Sequence, residues 1–484
     1  MRVAVSYFTA DSALGRHADR IAEALTDDLL RVTDLSVATS GDLRRLRGAS
    51  VGQLRRALRL DVVVVGTVSG TTARSRVSLT VLDARAEQTL ATTVDSAPGA
   101  RVDALVRRLG VFVRGALVAH LDSLARRSRF AREDAWRLAE QSRGAVRAVY
   151  AAVGAGSGRS AALAMDRADS LLAAAAALEP GATLPPIQLA RNRDRRAFVI
   201  EYLRQAMPDT APFLPDPLAI RHSALPLLDS VLGQDSGAAD ALVLRAGVKA
   251  GLHRLGGPDS LLTGAIADLE RALEIEPRNA EAWSDLASCH GAAGQYAEQL
   301  YAFERALMVD PFQVTRAKYL RGMFDAALAA GQLSRAEEAC RTGMGEFPGE
   351  ERFRDCELKS LGRTGASGAA AARALALADS LEPVEPNATS RAVYRIYAAQ
   401  ALARAGRGAE ADRQTRLAEA RVPETARAPF LLIELAAVRQ LRHDRDSATA
   451  LARRALTASP RLRQLLGDPA FASLRAALGV SVRE

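Results

Sequence analysis

Proline residues recur at a nearly constant spacing in the second half of the chain. Successive prolines are 34, 37, 35, 40 and 37 residues apart, at Pro277, Pro311, Pro348, Pro383, Pro423 and Pro460. Because proline lacks a backbone N–H and disfavours helical geometry in the residue before it, each one ends a predicted helix and turns the chain. A fixed period of this length indicates an array of helical hairpins, each packed only against its neighbours.

The most regular of these periods is the segment Ala280 to Gln313. Within it, Ala287 and Ala306 let helices approach closely, Gly294 permits the turn between two helices, and Trp283 and Phe303 are expected to fill the space between hairpins. The segment resembles the 34-residue tetratricopeptide repeat (TPR) consensus at Trp283, Leu286, Ala287, Gly294, Tyr296, Phe303, Ala306 and Pro311.

Neighbouring segments repeat this pattern in phase. Residues 256–260 are interpreted as an insertion in one hairpin, and residues 207–217 as a proline-rich loop that interrupts another. The segment 465–479 is predicted to be a helix that covers the last apolar face, as the end of a repeat array requires. Hairpins are predicted over residues 132–180, 187–233, 239–277, 317–348, 352–383, 392–423 and 429–460.

The first 125 residues have a different periodicity. The continuous apolar run from Val62 to Val68 predicts a strand covered on both faces, and the alternation of Val77, Leu79 and Val81 with polar residues predicts a strand with one wetter face. The remaining pattern predicts strands near residues 2–8, 35–39 and 89–94, and helices near 17–31, 51–60 and 101–124.

This β-α-β-α-β-β-β-α order, together with the segments Asp61–Gly70 and Arg76–Leu90, resembles the N-terminal domain of TolB-like proteins. The resemblance implies a binding or assembly domain without catalytic residues. Bacterial proteins with this domain often continue into TPRs, and often carry a kinase, cyclase or DNA-binding module upstream. The expected fold is an α/β domain followed by an all-α TPR superhelical solenoid. Its expected parts are the α/β domain at 1–125, degenerate repeats at 126–238, the TPR array at 239–464 and a capping helix at 465–484.

The basic residues are mixed with acidic ones along most of the chain. The formal net charge is +9 and the pI about 9.9, and all basic residues except three lysines are arginine. We interpret this as codon bias and solvated helix faces rather than as a nucleic-acid surface, since mixing of charges cancels most of the long-range field. The sharpest candidate for a phosphate-binding patch is the run Arg191–Arg196, but Asp194 interrupts it, and a solvated helix face is favoured.

No catalytic, cofactor-binding or metal-binding pattern is found in the sequence, so an enzyme is not predicted. Cys289, Cys340 and Cys356 contain no C-x-x-C pair, and buried free thiols are expected. The six histidines form no ligand pattern. The glycine-rich stretch 154–160 lacks the spacing of a phosphate-binding loop, and a hairpin turn is expected there.

Neither a signal peptide nor a run approaching the ~18 apolar residues of a membrane helix is predicted. A reduced, cytoplasmic setting is therefore expected, unless Met1 marks a cut inside a longer protein whose kinase, DNA-binding or membrane segment precedes it.

The TPR resemblance also implies a partner groove. In that family, positions 2, 5, 9, 12 and 13 of the first helix line the concave surface, which here gives Lys318, Arg321, Asp325, Gln400 and Arg404. The set that clamps a peptide's C-terminal carboxylate is missing, because Ser284, Ser288 and Ala292 stand at its places. The predicted function is a non-catalytic scaffold that binds a protein or peptide segment, in bacterial signalling or regulation. Two alternatives stay open: a nucleic-acid-associated regulator, and the sensor or output half of a kinase or cyclase system.

Overall fold

The structure is a computed structural model of the 484-residue chain. It describes residues 1–10, 12–32, 34–44, 46–71, 73–98, 102–154, 157–206, 215–310, 315–347, 350–385, 387–458, 462–463, 466 and 471–480. Two compact units are present, which we call the first unit (Met1–Cys289 with Met308–Val314) and the second unit (His290–Leu307 with Thr315–Glu484).

One mixed sheet lies at the start of the first unit. Its order is β3-β1-β4-β5-β6, and β2 pairs with β4. β1 is parallel to both β3 and β4, whereas β4, β5 and β6 are antiparallel neighbours. The strands are β1 (Arg2–Val5), β2 (Thr9–Ala10), β3 (Ser36–Val37), β4 (Val62–Thr71), β5 (Arg74–Asp83) and β6 (Gln88–Pro98).

Helices cover both faces of the centre of this sheet, as the apolar run in β4 predicts. Val62 and Val64 belong to a core with α1 and α4, while Val63 lies in a second core with Leu54 of α3. In β5, Val77, Leu79 and Val81 are buried and alternate with more exposed residues, as predicted. The helices are α1 (Gly15–Leu30), α2 (Ser40–Arg44), α3 (Val51–Leu58) and α4 (Val102–Arg127).

The predicted element order is thus confirmed, with two additions. β2 has two residues and α2 has five, so neither is long enough to leave a periodic pattern in the sequence.

Helical hairpins make up the rest of the described chain and confirm the predicted fold class. The insertion expected at 256–260 is the turn between the two helices of a hairpin, α10 (Ala239–Arg254) and α11 (Asp259–Ile275). The helices are α5 (Glu133–Gly154), α6 (Gly158–Leu178), α7 (Leu184–Ala206), α8 (Pro217–His222), α9 (Leu225–Gln234), α10 (Ala239–Arg254), α11 (Asp259–Ile275), α12 (Ala280–Ala293), α13 (Tyr296–Val309), α14 (Arg316–Ala329), α15 (Leu333–Glu346), α16 (Glu351–Thr364), α17 (Gly368–Leu381), α18 (Ala388–Arg404), α19 (Gly408–Arg421), α20 (Pro429–Leu441), α21 (Arg445–Ala458) and α22 (Ala472–Leu478).

Some predicted features lie outside the described residues. These are Pro311, Pro348 and Pro460, most of the proline-rich loop, and part of the segment before α22. The glycine-rich stretch 154–160 joins α5 to α6, as expected of a hairpin turn, although residues 155 and 156 are not described.

Left-handed residues close several hairpin turns. Gly294, Gly331 and Gly406 have φ values of 79°, 72° and 75°, a region in which only glycine avoids a steric cost. In the last hairpin the corresponding turn holds His443, with a φ of 63°.

The residues that match the repeat consensus differ in burial and in the segments that they contact. Ala287 and Ala306 are fully buried. Leu286 is nearly fully buried, and Tyr296 is half-buried. The ring of Phe303 lies against Gly322 of α14, where an added Cβ atom would be only 2.5 Å from the ring. The indole N–H of Trp283 donates to the carbonyl oxygen of Pro277 at 3.0 Å. These side chains therefore hold successive segments together.

Two of the three cysteines correct the prediction of free thiols. Cys340 of α15 and Cys356 of α16 form a disulfide, with Cα atoms 6.0 Å apart. The prediction was wrong because it relied on close sequence spacing, whereas packing of two consecutive helices brings together residues 16 positions apart. Cys289 is a buried free thiol, as predicted.

The basic run on α7 is not a solvated helix face, so that interpretation is also corrected. Arg193 donates to the carbonyl oxygen of Ser223 at 2.6 Å, and Arg196 forms an ion pair with Asp166 at 2.8 Å. Asp194 accepts a 2.7 Å hydrogen bond from Arg221, which is 1% exposed. Packing of α6 and α8 against α7 covers most of this run, which a single-helix pattern cannot reveal.

Candidate functional site

The predicted groove residues of α14 form a charged group on one helix face. Arg321 donates to Asp325 at 3.0 Å and forms an ion pair with Asp355 of α16 at 2.7 Å. Lys318 lies one turn earlier and is exposed. Asp325 keeps 46% of its side chain accessible, whereas Arg321 keeps 16%. In this group Arg321 is held by two carboxylates, and Lys318 and Asp325 carry the accessible charges.

The next first helix, α16, completes this group. Lys359 lies 3.5 Å from a carboxylate oxygen of Asp325 and 3.4 Å from one of Asp355. Two cations and two carboxylates therefore alternate across α14 and α16, and we call Arg321, Asp325, Asp355 and Lys359 the charge cluster. Each carboxylate in it contacts both cations.

Neighbouring charges keep Asp325 and Arg321 of the charge cluster ionised. Burial raises the pKa of the Asp325 carboxyl, but the charges of Lys359 and Arg321 outweigh it, and the net pKa is below the usual value. Burial also lowers the pKa of Arg321, and the carboxylates of Asp325 and Asp355 more than reverse that effect. Asp325 and Arg321 are therefore both charged at neutral pH.

A second polar group lies in the interior between α16, α18 and α20. Glu434 of α20 is 0% exposed, and its carboxylate forms an ion pair with Arg363 of α16. The same carboxylate accepts hydrogen bonds from Gln400 at 2.8 Å and from the Tyr397 hydroxyl at 3.4 Å. The Arg363 guanidinium also lies 4.4 Å from the centre of the Phe471 ring. We call Arg363, Tyr397, Gln400 and Glu434 the buried network.

This network corrects the expected role of Gln400. The side chain is fully buried and bonded to Glu434, so it cannot contact a partner on an accessible surface. Arg404 is half-buried, and its Nε donates to the carbonyl oxygen of Gly362 at 3.2 Å. Of the five predicted groove residues, Lys318 and Asp325 are the exposed ones.

Sequence reasoning missed the contribution of α16. Asp355, Lys359 and Arg363 are each four residues apart, so they lie on one face of that helix. The four-residue spacing of these charges on one helix is a usable signal. The long-range partner Glu434 left no such signal.

A polar cleft of about 480 Å³ lies elsewhere in the second unit, near the turn between α17 and α18. Glu382 accepts hydrogen bonds from Arg395 and Arg421 at 2.6 and 2.7 Å. Burial raises the pKa of Glu382, but these hydrogen bonds lower it by a larger amount. The net pKa of Glu382 is therefore below its usual value. The cleft is lined by Asp379, Glu382, Pro383, Arg391, Arg395 and Arg421.

The free thiol among the described residues belongs to Cys289, which is buried. Burial raises the pKa of the Cys289 thiol to about 12, which removes its nucleophilic thiolate form at neutral pH. In the described part of the chain, no group of three or more His, Cys, Asp or Glu side chains could hold a metal ion. Within the same residues, no helix combines the length and the apolar character needed to cross a membrane.

A sequence model of the tetratricopeptide repeat matches residues 269–301, from the end of α11 to the start of α13. This match coincides with the hairpin period and with the repeat positions described above. This segment is a tetratricopeptide repeat. No curated protein matches the sequence.

Several solved TPR structures are similar to this chain. A TPR protein of Thermus thermophilus is 14% identical over 46% of this chain and 98% of its own, with a TM-score of 0.32. A TPR protein of Parabacteroides merdae is 13% identical over 68% and 99%, with a TM-score of 0.31. Yeast Tom70 is 16% identical over 66% and 61%, with a TM-score of 0.35.

The array of helical hairpins gives the two polar groups their position. The first helices of successive hairpins, α14, α16, α18 and α20, contact one another in order. Side chains four residues apart on each of these helices therefore meet those of the next one. The charge cluster and the buried network are two consequences of this one arrangement.

Proposed function

We propose that the protein is a non-catalytic scaffold that binds a segment of another protein across the first helices of the second unit. The observation that supports this most is the charge cluster, in which accessible charges are held by partly buried ones. Because cross-helix ion pairs fix Asp325 before a partner arrives, little side-chain freedom is lost on binding.

The partner's chemistry follows from the exposed charges. Lys318 and Asp325 are seven residues apart on α14, which places them on one face, about 10 Å apart along the helix axis. An extended peptide advances about 3.3 Å per residue. We therefore propose a segment in which an acidic side chain contacts Lys318 and a basic side chain about three residues away contacts Asp325.

The experiment compares two matched charge reversals in the full chain, used as bait in a lysate of the native host. Lys318→Glu reverses an exposed charge on α14, and Arg341→Glu reverses an exposed charge on α15, the second helix of the same hairpin. We expect one protein to be retained by the wild type and by Arg341→Glu but lost by Lys318→Glu. Equal retention by both variants would contradict the proposed surface.

Salt separates this function from nucleic-acid binding. A protein segment held by shape and a few polar contacts should remain bound at high salt, whereas nucleic acid is released because its binding depends on counterion release. If nucleic acid is the sole molecule retained, and salt releases it, the scaffold proposal is wrong.

We further propose a role in bacterial signalling or regulation and a cytoplasmic location. The resemblance of residues 1–125 to TolB-like domains supports the first part, since that resemblance implies binding or assembly. A neighbouring gene for a kinase or cyclase would favour the sensor or output role. Fractionation of the native host tests the location, and recovery outside the cytoplasm would contradict it.

A further inference from the structure

The polar cleft near the turn between α17 and α18 is built from the ends of three helices. Asp379 lies in the last turn of α17, Glu382 follows that helix, and Arg421 is the last residue of α19. Arg391 and Arg395 are one helical turn apart in the first half of α18, so they lie on the same face of that helix. The volume of about 480 Å³ falls within the roughly 300–1,000 Å³ range of small-molecule sites.

Carboxylates of the cleft hold two of its three arginines. Nε of Arg395 donates to Glu382 at 2.6 Å, and its Nη1 donates to Asp379 at 2.6 Å. The same Nη1 lies 3.2 Å from the side-chain amide oxygen of Gln414. Nε of Arg421 donates to the other carboxylate oxygen of Glu382 at 2.7 Å. Both oxygens of Glu382 are therefore used by the chain itself.

Arg391 is the third arginine of the cleft and has a different environment. Its Nε is buried and has no hydrogen-bond partner, although the residue as a whole is half-buried. Among the residues that the structure describes, its guanidinium group has no hydrogen-bond acceptor and no carboxylate within ion-pair distance. Buried donors are nearly always paired in folded proteins, so this N–H group points to an acceptor from outside the chain.

The cleft carries one more positive charge than negative charges. Three arginines and two carboxylates line it. Burial raises the pKa of Glu382, but hydrogen bonds from Arg395 and Arg421 lower it by a larger amount. Burial lowers the pKa of Arg395, and its hydrogen bonds to Asp379 and Glu382 more than reverse that effect. A bound anion with a single charge would neutralise the surplus.

A carboxylate fits Arg391 better than a phosphoryl group does. A guanidinium group offers Nε–H and one Nη–H as parallel donors to the two oxygens of a carboxylate. A phosphoryl dianion would bring a second negative charge close to Asp379 and Glu382, and like charges repel. The side chain of Asp379 is 58% exposed, so its carboxylate can also accept a hydrogen bond from a hydroxyl group of the ligand.

We propose that this cleft binds a singly charged anion through a carboxylate group that pairs with Arg391. The carboxylate belongs either to a free small organic acid or to an acidic side chain of a bound protein. The same contact with Arg391 serves both sources. The cleft shares no residue with the charge cluster, so the inference does not rest on the proposed scaffold surface.

The test offers two probes to the full chain in separate titrations, followed by saturation-transfer NMR at an ionic strength held constant with chloride. Lactate represents a free organic acid, and lactamide is its uncharged analogue. A pentapeptide blocked at both ends, with one central glutamate, represents an acidic side chain, and the same peptide with glutamine is its uncharged analogue. The charged probe that binds more tightly identifies the source of the carboxylate.

A pair of variants tests whether that probe binds in the cleft. Arg391→Gln removes the guanidinium group, and Arg416→Gln removes an exposed arginine of α19 outside the cleft lining as the control. We expect saturable binding that weakens by about tenfold or more in Arg391→Gln and changes by less than about twofold in the control. Methyl phosphate, with nearly two negative charges, should bind more weakly than the charged probe.

Three results would overturn the proposal. The first is that neither charged probe binds. The second is that the uncharged analogue or methyl phosphate binds as tightly as the charged probe. The third is that Arg416→Gln loses as much affinity as Arg391→Gln.

Hydrogen exchange of α18 shows whether Arg391→Gln remains folded. Because the guanidinium group of Arg391 has no partner among the described residues, the substitution should leave the protection of α18 and the thermal midpoint unchanged. A lower midpoint together with lost protection in α18 would mean that the arginine is needed for packing, which contradicts the proposal.

Discussion

Replacing Glu434 by Leu should destabilise the second unit strongly. The substitution removes the negative charge opposite Arg363, whose side chain is 2% exposed. Breaking a buried ion pair by removing one partner costs about 3–5 kcal/mol, because the remaining charge loses much of the attraction that offset its removal from water. Arg363→Met should cost a similar amount, since it leaves the 0% exposed carboxylate of Glu434 without the guanidinium that balances its charge.

Removing both charges should cost less than the sum of the single changes. Arg363→Met/Glu434→Leu leaves no buried charge, and such apolar replacements are often neutral. Gln400 and Tyr397 would still lose an acceptor, at about 1–3 kcal/mol each, in the Glu434→Leu variant and in the double variant alike. We therefore expect a coupling energy of at least about 3 kcal/mol between the two positions.

Hydrogen exchange followed by mass spectrometry measures the local stability of these helices in each variant. Peptides from α16, α18 and α20 should lose protection in each single variant and recover most of it in the double variant. Both tryptophans of the chain, Trp136 and Trp283, lie in the first unit, so their fluorescence serves as the control for unaffected structure. A change below about 1 kcal/mol in the single variants, or simple additivity, would refute the reasoning.

Three further predictions concern stability. Peptide mapping without reductant should find Cys340 joined to Cys356. Cys340→Ser should lower the free energy of unfolding by about 3 kcal/mol in oxidising buffer, and equal stability of the wild type and the variant in that buffer would contradict the disulfide. His443→Gly should raise the stability by about 1 kcal/mol and Gly406→Ala should lower it by about as much, since both positions have positive φ; urea denaturation giving the opposite signs would exclude this explanation. Because the pKa of Glu382 is lowered in the fold, its ionised form stabilises the protein above the unfolded-state pKa, and this stabilisation is lost as pH falls through the folded-state pKa. Glu382→Gln should therefore flatten the stability profile below about pH 4.5, and an unchanged profile would count against this explanation.

Local sequence patterns predicted most of the fold. Proline and glycine act within a few residues of their own position, so the hairpin turns at Gly294, Gly331 and Gly406 follow from the sequence alone. The strands of the first unit were equally accessible, because burial on one or both faces sets the spacing of apolar residues.

Contacts between distant segments could not be predicted in the same way. Arg363 and Glu434 are 71 residues apart, and each appears in the sequence as an ordinary charged residue on a helix. The sequence predicts Gln400 in the groove because a repeat position gives the direction of a side chain. It does not show whether residues of the next helix bury that side chain. Cys340 and Cys356 pair only because two consecutive helices pack together.

The measurement that tests the scaffold account most directly is site-specific photo-crosslinking in the native host. A photoreactive amino acid is placed at position 318 on α14 or, in a matched chain, at position 341 on α15; both native residues are exposed. We predict that position 318 captures one protein, through a segment with acidic and basic residues about three positions apart, and that position 341 does not. Capture of the same proteins at both positions, or of none at 318, would contradict the account.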